Sequence, residues 1–584
     1  MKKGIFLIVF LLILPIVFAR QGHMPLLAVR EKAGGYEGSV ADLYLEVVPG
    51  TGRVFMETYP LTKMDTQIST RFAKDVACDY LSIDCNQYDF FYTIKADSPI
   101  VGGPSAGGPI SILTIAMLEG FDVNQETAMT GTINSGGLIG PVGSLIAKID
   151  AASKIGIKTV LIPQGEGTVK ESNLTIDLSE YAKKYNITIV EVSDLTSALY
   201  QFTGKYYRDI TKNLTIDLDY IKTMSFLGIM LCNRSDSLQK FFSELESKKE
   251  VITDEQIVEA EKNAINRTEQ GKKALSENKY YSAASYCFGA NINYQYLIVR
   301  LGNFTNFHTV EKEINDFEKS LEDIRITTVT DLEAYMVVKE RLREARDSLN
   351  KSIKLYNEKK DFYESLAYAI ERVYSAKSWS KFFGVSGITF DLEKNNLREG
   401  CLRKLIEAEE RVQYANLFYE KSLEEIEKEL ELVQEDLEKD NFAMCLFRAA
   451  KIKAEADVIL GAVGVEEEQI DTILNSKLNI VKRAIIEAQE KGMFPIIGYS
   501  YYEYANSLKN ERKYTALLYA EYALELSALN LYFKTPENTT WIIDSIQVKP
   551  QRKAPTIIII IIAFLLGFLI ALSIKNRPSA KKKR

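Results

Sequence analysis

Histidine is nearly missing from this chain: His23 and His308 are the only two in 584 residues. That scarcity sets aside a Ser-His-Asp triad, a poly-histidine metal site and a histidine proton relay. No Cys-x-x-Cys occurs, which disfavours zinc. No Gly-x4-Gly-Lys-Ser/Thr loop occurs either, so the usual phosphate cradle for a nucleotide is lacking. The folded part contains no long basic stretch, and 72 Lys and Arg against 79 Asp and Glu leave a net charge of −7. Duplex nucleic acid is therefore not the expected partner. No metal and no cofactor is expected. What is present is ordinary for a globular protein, 46% hydrophobic and 26% charged residues, which rules out wholesale disorder and a multi-span membrane protein. The length implies more than one folded unit.

The two ends predict the compartment. Lys2 and Lys3 precede an apolar run from Ile5 to Phe18 that closes on Val17-Phe18-Ala19. This is the form of a secretory signal peptide, residues 1–19, cleaved after Ala19; an uncleaved anchor is the alternative. Thr556 to Ile574 is 19 residues without a charge, long enough for a transmembrane helix. The tail 575–584 then carries Lys575, Arg577, Lys581, Lys582, Lys583 and Arg584 and no acid, which assigns it to the cytoplasm. Residues between about 20 and 553 are expected outside, on a single-pass cell-membrane protein. Asn-x-Ser/Thr triplets at Asn173, Asn186, Asn213, Asn233, Asn266, Asn303, Asn350 and Asn538 fit a glycoprotein at that address. So do six cysteines, an even set, for which Cys78 with Cys85 is the most local pairing and free buried thiols are the alternative.

Between the ends the chain has two grammars. From residue 39 to about 204 strand and helix signals alternate, an α+β or α/β pattern. Leu43, Leu45 and Val47, the turn Pro49-Gly50-Thr51-Gly52 and the run 54–59 read as a hairpin. Ile68, Phe72, Val76 and Tyr80 mark a helix face. Residues 90–96 read as a strand, 105–119 and 144–155 as helices, and 159–162 as a buried strand, with Gly156 closing a helix. Residues 205–532 read as an irregular α-helical array. The steps from Tyr419 through Leu423, Ile426, Leu430, Val433 and Leu437 predict a helix hairpin. The segments 278–280, 360–362, 440–442 and 512–514 each join a helix to an Ala-rich one, a loose repeat. Residues 533–555 read as a stalk.

The chemistry sits in the first half. Val101-Gly102-Gly103-Pro104-Ser105-Ala106-Gly107-Gly108 lies between a strand and a helix. Glycines let a substrate backbone come close, and Ser105 at a helix N-terminus has free N–H groups beside it, the needs of a nucleophile with an oxyanion site. With histidine unavailable, the base for such a serine is a lysine or a carboxylate. Further on come Met129-Thr130-Gly131, the run Gly136-Gly137-Leu138-Ile139-Gly140-Pro141-Val142-Gly143, Lys148 among Leu145, Ile146 and Ile149, and Gly156-Ile157-Lys158-Thr159-Val160-Leu161-Ile162-Pro163.

This ordered set resembles the proteolytic domain of Lon-type serine proteases, in which a Pro-Ser-Ala-Gly serine works with a lysine 43 residues later. Lys148 follows Ser105 by that interval (148 − 105). The likeness spans roughly residues 38–204 and implies a Lon-like proteolytic domain at 24–204. It implies Ser105 as nucleophile, Lys148 as general base, Thr130 as the lysine's hydrogen-bonding support, and backbone N–H groups of Gly103, Ser105 and Ala106 around the oxyanion. Gly102 stands where many Lon proteases have an acid, and their ATP-driven unfoldase is absent. The whole then resembles the membrane-anchored Lon-like serine proteases of archaea: an α+β proteolytic domain, a helical array and one C-terminal transmembrane helix. The expected activity is ATP-independent Ser-Lys endopeptidase cleavage of flexible or unfolded polypeptide, with no nucleic acid or nucleotide partner and homo-oligomerisation left open. The rival is a non-catalytic surface scaffold with an inactive protease fold.

Overall fold

The computed structural model describes residues 20–533, apart from 33–34, 172–173, 208–211, 248–253, 386, 388, 390–391, 419–422 and 463–468. The signal segment 1–19, the stalk beyond Phe533, the apolar span 556–574 and the tail 575–584 lie outside the described residues, as do Tyr419, Asn173 and Asn538. Among the described residues no helix is long and apolar enough to cross a membrane.

An α/β half comes first. Its strands are β1 (Arg20–Lys32), β2 (Gly35–Pro49), β3 (Val54–Thr62), β4 (Tyr88–Val101), β5 (Thr127–Met129), β6 (Thr132–Ile133), β7 (Ile139–Gly140), β8 (Thr159–Pro163), β9 (Thr168–Glu171), β10 (Leu174–Asp177) and β11 (Thr188–Val192). Its helices are α1 (Met64–Leu81), α2 (Gly107–Glu119), α3 (Leu145–Lys154), α4 (Leu178–Lys183) and α5 (Leu195–Thr203). One seven-stranded sheet has the order β11-β8-β5-β1-β2-β4-β3. Side chains alternate across it. Met24 and Leu26 join the core under α1, α2 and α5, whereas Leu27 joins the core under α3 and α4; Leu161 and its neighbours Val160 and Ile162 divide in the same way. Only β2 runs against the rest, so β4 and β5 deliver their C-terminal ends, and the residues after them, to the same edge of the sheet. Ligand sites of open α/β sheets form along such an edge.

The expected hairpin over residues 43–59 is not formed. β4 inserts between β2 and β3, antiparallel to the first and parallel to the second. The turn explains it. Gly50 and Gly52 donate their N–H groups to the Gln87 and Tyr88 carbonyls, and Thr51 and Arg53 donate theirs to Asp89 Oδ1. The buried Asp89 carboxylate also pairs with Arg53, so the turn is fastened to the start of β4 rather than closed on itself. β1, which has no strand signal of its own in the sequence pattern, pairs along its whole length with β2.

The second half is helical: α6 (Leu218–Glu246), α7 (Glu255–Ser276), α8 (Tyr280–Gly302), α9 (Phe307–Ser320), α10 (Val329–Asn357), α11 (Tyr363–Trp379), α12 (Lys394–Asn416), α13 (Glu424–Glu438), α14 (Phe442–Ala462), α15 (Ile470–Glu490), α16 (Ile496–Leu508) and α17 (Lys513–Ser527). The four repeated segments fall at the turns of four antiparallel helix pairs, α7/α8, α10/α11, α13/α14 and α16/α17. In three of them Asn278, Lys359 or Asp440 takes a left-handed backbone that ends the first helix. The 423–437 seam lies on α13, one arm of such a pair. Cysteines are paired throughout: Cys78 in the last turn of α1 with Cys85 just beyond it, Cys232–Cys287 between α6 and α8, and Cys401–Cys445 between α12 and α14. The alternative of free thiols is thereby corrected. The two halves pack into one compact unit.

Candidate active site

β4 runs out at Val101 and the chain turns through Gly102 and Gly103 into a 3-10 turn, Pro104–Ala106, that leads into α2. Gly103 has φ +102°, a backbone that side chains other than glycine rarely adopt, and this bend sets Ser105 at the start of the helix. Among the described residues no side chain hydrogen-bonds the Ser105 hydroxyl. Its carbonyl accepts the Gly131 N–H at 3.0 Å, and Gly108 donates back to the Gly131 carbonyl at 2.9 Å. The serine turn is therefore stitched to the residue that follows Thr130.

Thr130 leaves the end of β5 and is 1% exposed. Its hydroxyl accepts a hydrogen bond of 2.9 Å from Lys148 Nζ. Lys148 comes from α3, which lies close on β2 because residue 38 is glycine: a Cβ there would overlap the Ala147 carbonyl. Only 3% of Lys148 is exposed, in the apolar company of Val142, Leu145 and Ile149, and no carboxylate forms an ion pair with it among the described residues. Burial pushes its amine down to about 8, against a smaller upward pull from Glu166. Asp150, two residues on, is turned away and accepts from the Tyr181 hydroxyl at 2.8 Å.

Lys148 thus bonds Thr130 directly, and Gly131, the residue after Thr130, bonds the Ser105 backbone; among the described residues no hydrogen bond joins the Ser105 and Lys148 side chains. Neither histidine belongs to the set. His23 bonds Asp42 and Gln125, and His308 lies beside Glu311 on the surface. Of the three backbone donors expected near an oxyanion, Gly103 is already engaged, donating to Asp65 Oδ2 at 3.0 Å. This contact sets a carboxylate beside Gly102. Ser105 and Ala106 remain at the first turn, where helical N–H groups lack internal partners.

Two acidic residues near the site carry no signal in the local sequence. Asp65 opens α1, far from Ser105 in sequence. Glu166 sits in Gly165-Glu166-Gly167, which reads as plain loop. Both Glu166 oxygens accept from the Val142 N–H, at 3.1 and 3.3 Å, just ahead of α3. It lines a cavity of about 50 Å³ with Asn134, Gly140, Pro141 and, from the helical half, Asp457 and Glu521. Burial raises its carboxyl to about 8, opposed by the Val142 N–H and by Lys148.

Residues 93–199 match the Lon protease (S16) C-terminal proteolytic domain. That stretch is similar to the proteolytic domain of Lon proteases. The chain is 34% identical over 128 residues to a Lon protease of Paraburkholderia phytofirmans, covering 21% of this chain and 16% of that protein. To an archaeal Lon protease of Thermococcus kodakarensis it is 30% identical over 112 residues, 19% of this chain and 17% of the relative. A Lon protease of Orientia tsutsugamushi shares 36% over 116 residues, 20% and 14% of the two chains. The likeness spans less than a fifth of each of these relatives, and the Lon domain match ends at residue 199, before the helical half begins.

Proposed function

We propose that this protein is a membrane-anchored, extracytoplasmic serine endopeptidase that cleaves flexible polypeptide through a Ser105–Lys148 dyad without nucleotide. The observation that carries the reading is the state of Lys148: a buried amine, hydrogen-bonded to Thr130, with no ion-paired carboxylate among the described residues. Neutral Lys148 takes the Ser105 proton as the oxygen attacks the substrate carbonyl carbon. The oxyanion that forms meets the N–H groups of Ser105 and Ala106. Its collapse breaks the C–N bond, the Lys148 ammonium returns its proton to the leaving amine, and an ester stays on Ser105. Water, deprotonated by the same lysine, hydrolyses that ester and restores the hydroxyl.

Three disulfides support an oxidising compartment, in keeping with the signal peptide at 1–19. Asn186, Asn213, Asn233, Asn266, Asn303 and Asn350 are all exposed, as glycosylation requires. The anchor is the 556–574 span, and independence from ATP rests on the missing phosphate loop. The purified ectodomain should cleave an unstructured fluorogenic peptide without nucleotide, and Ser105→Ala should not. Equal cleavage by both proteins removes the reading.

One observation favours the second reading, a non-catalytic scaffold: the Gly103 N–H is closed off by Asp65. A serine-directed phosphonate separates the two, since a scaffold takes no label at Ser105.

A further inference from the structure

The segment 130–143 carries the partner of Lys148 at one end and feeds α3 at the other. The helical half holds it at several points. Ser135 donates its hydroxyl to Glu525 Oε2 at 3.1 Å. Arg411 reaches Thr132 Oγ1 through Nη1 and the Ile133 carbonyl through Nη2, both at 3.4 Å, and the same Nη1 binds Asp457 at 2.5 Å. Arg483 donates to the Gly136 carbonyl at 3.3 Å and to Asp194 at 2.7 Å. The Gly143 N–H donates to the Tyr414 hydroxyl at 3.1 Å. Leu138 is counted in the apolar core of the helical half, and Gly136 is so close to Leu524 that a Cβ would stand 2.9 Å from it.

These holds are unusual in kind. Glu525 is fully buried, and its carboxylate is bound by Lys404 and, at 2.6 Å, by Lys453, both buried as well. Burial would raise its carboxyl, but the two ammonium groups outweigh burial and hold it at about 2. Glu525 therefore stays an acceptor for Ser135 at every pH at which Lys148 titrates. Burying so many charges is expensive where apolar packing would serve, and its best-attested return is a fixed register.

We propose that the helical half completes the active site, with Glu525, Arg411, Arg483 and Tyr414 as positioning residues that lock the 130–143 segment, and through Thr130 the base Lys148, against the Ser105 turn. The inference rests on the dyad reading and goes beyond it. It assigns α12, α15 and α17, which bear these residues, to the catalytic unit, so the α/β half alone should be a poor enzyme.

The test uses the whole ectodomain with Ser135→Ala, Arg411→Met, and Ser352→Ala as control. Ser352 is equally buried but bonds only within the helical half. Three readouts apply: kcat and KM on the unstructured peptide, phosphonate labelling rate, and amide exchange of residues 130–143. Ser135→Ala should lower kcat and labelling about tenfold with KM nearly unchanged, as misplacement of catalytic groups does, and should speed exchange in 130–143 alone. Arg411→Met should act more strongly in the same direction. Should it fail to fold, Ser135→Ala carries the test alone. Normal kcat and normal exchange in a folded Ser135→Ala overturn the inference and leave the dyad reading intact. Faster exchange with normal kcat also overturns it, since the contact is then structural. A wild-type protein that neither cleaves nor takes label ends the dyad reading, and this inference with it.

Discussion

Lys148 Nζ donates to Thr130 Oγ1 across 2.9 Å, and the next residue, Gly131, donates its N–H to the Ser105 carbonyl at 3.0 Å. A lysine on one helix and a serine before another are thus registered by two consecutive residues at the end of β5. A hydroxyl is a neutral partner: it aims the amine without stabilising its charge as a carboxylate would. Thr130→Val keeps the shape and removes the acceptor. Turnover should fall by roughly tenfold, the worth of one buried hydrogen bond, while circular dichroism and melting stay near wild type. Unchanged turnover in Thr130→Val would take the threonine out of the mechanism.

Glu166 supplies the upward pull on Lys148. Glu166 itself gains its negative charge near pH 8, so Glu166→Gln, which never gains it, should shift the rise of activity in that range to lower pH than in the wild type. An upward movement, or none, means that Glu166 does not act on the lysine.

Lys148 also has a stability signature. Its pKa is about 8 when folded against the ordinary 10.5, so the unfolded chain binds more protons between those values. Stability contributed by this group therefore rises as pH climbs from about 8 to 10.5, and below 8 its buried charge costs the fold. Lys148→Met should be more stable than wild type below pH 8, with the advantage fading toward pH 10.5. Chemical denaturation across that range reads it directly. An advantage that does not change with pH would contradict a depressed lysine.

Cys401–Cys445 ties α12, the helix of Arg411 and Tyr414, to α14, the helix of Lys453 and Asp457. Reduction of such a cross-link typically costs about 2–4 kcal/mol. A reducing agent should lower the melting temperature of the ectodomain and reduce cleavage at temperatures where the oxidised form is stable. Identical melting curves with and without reductant would contradict a structural role for the bridges.

Local signals were the legible part. The glycine run before Ser105, the helices of Ser105 and Lys148, the β8 strand and the four helix-pair turns were all written in short stretches of residues. What depended on distant residues was not. β4 enters between β2 and β3 because Asp89 and two carbonyls beyond α1 claim the turn's N–H groups, which the turn's own sequence does not announce. β1 is covered on both faces, so Met24-Pro25-Leu26-Leu27 lacks the clean alternation of a one-sided strand. Glu166 looks like loop until the fold carries it to Lys148. The hold of Glu525 on Ser135 spans 390 positions and has no local signature at all.

The central claim is that Lys148 works as a neutral base. An ordinary lysine near 10.4 would be neutral in roughly one molecule in 2,500 at pH 7, and one near 8 in roughly one in ten. The most direct measurement is the pH dependence of peptide cleavage by the wild-type ectodomain beside the folded Lys148→Arg and Ser105→Ala proteins. The account predicts wild-type turnover that rises with pH through a midpoint near 8 and no cleavage by either variant, since arginine keeps the charge but yields no base. Near-normal cleavage by Lys148→Arg, or a wild-type profile flat from pH 6 to 10, would contradict it.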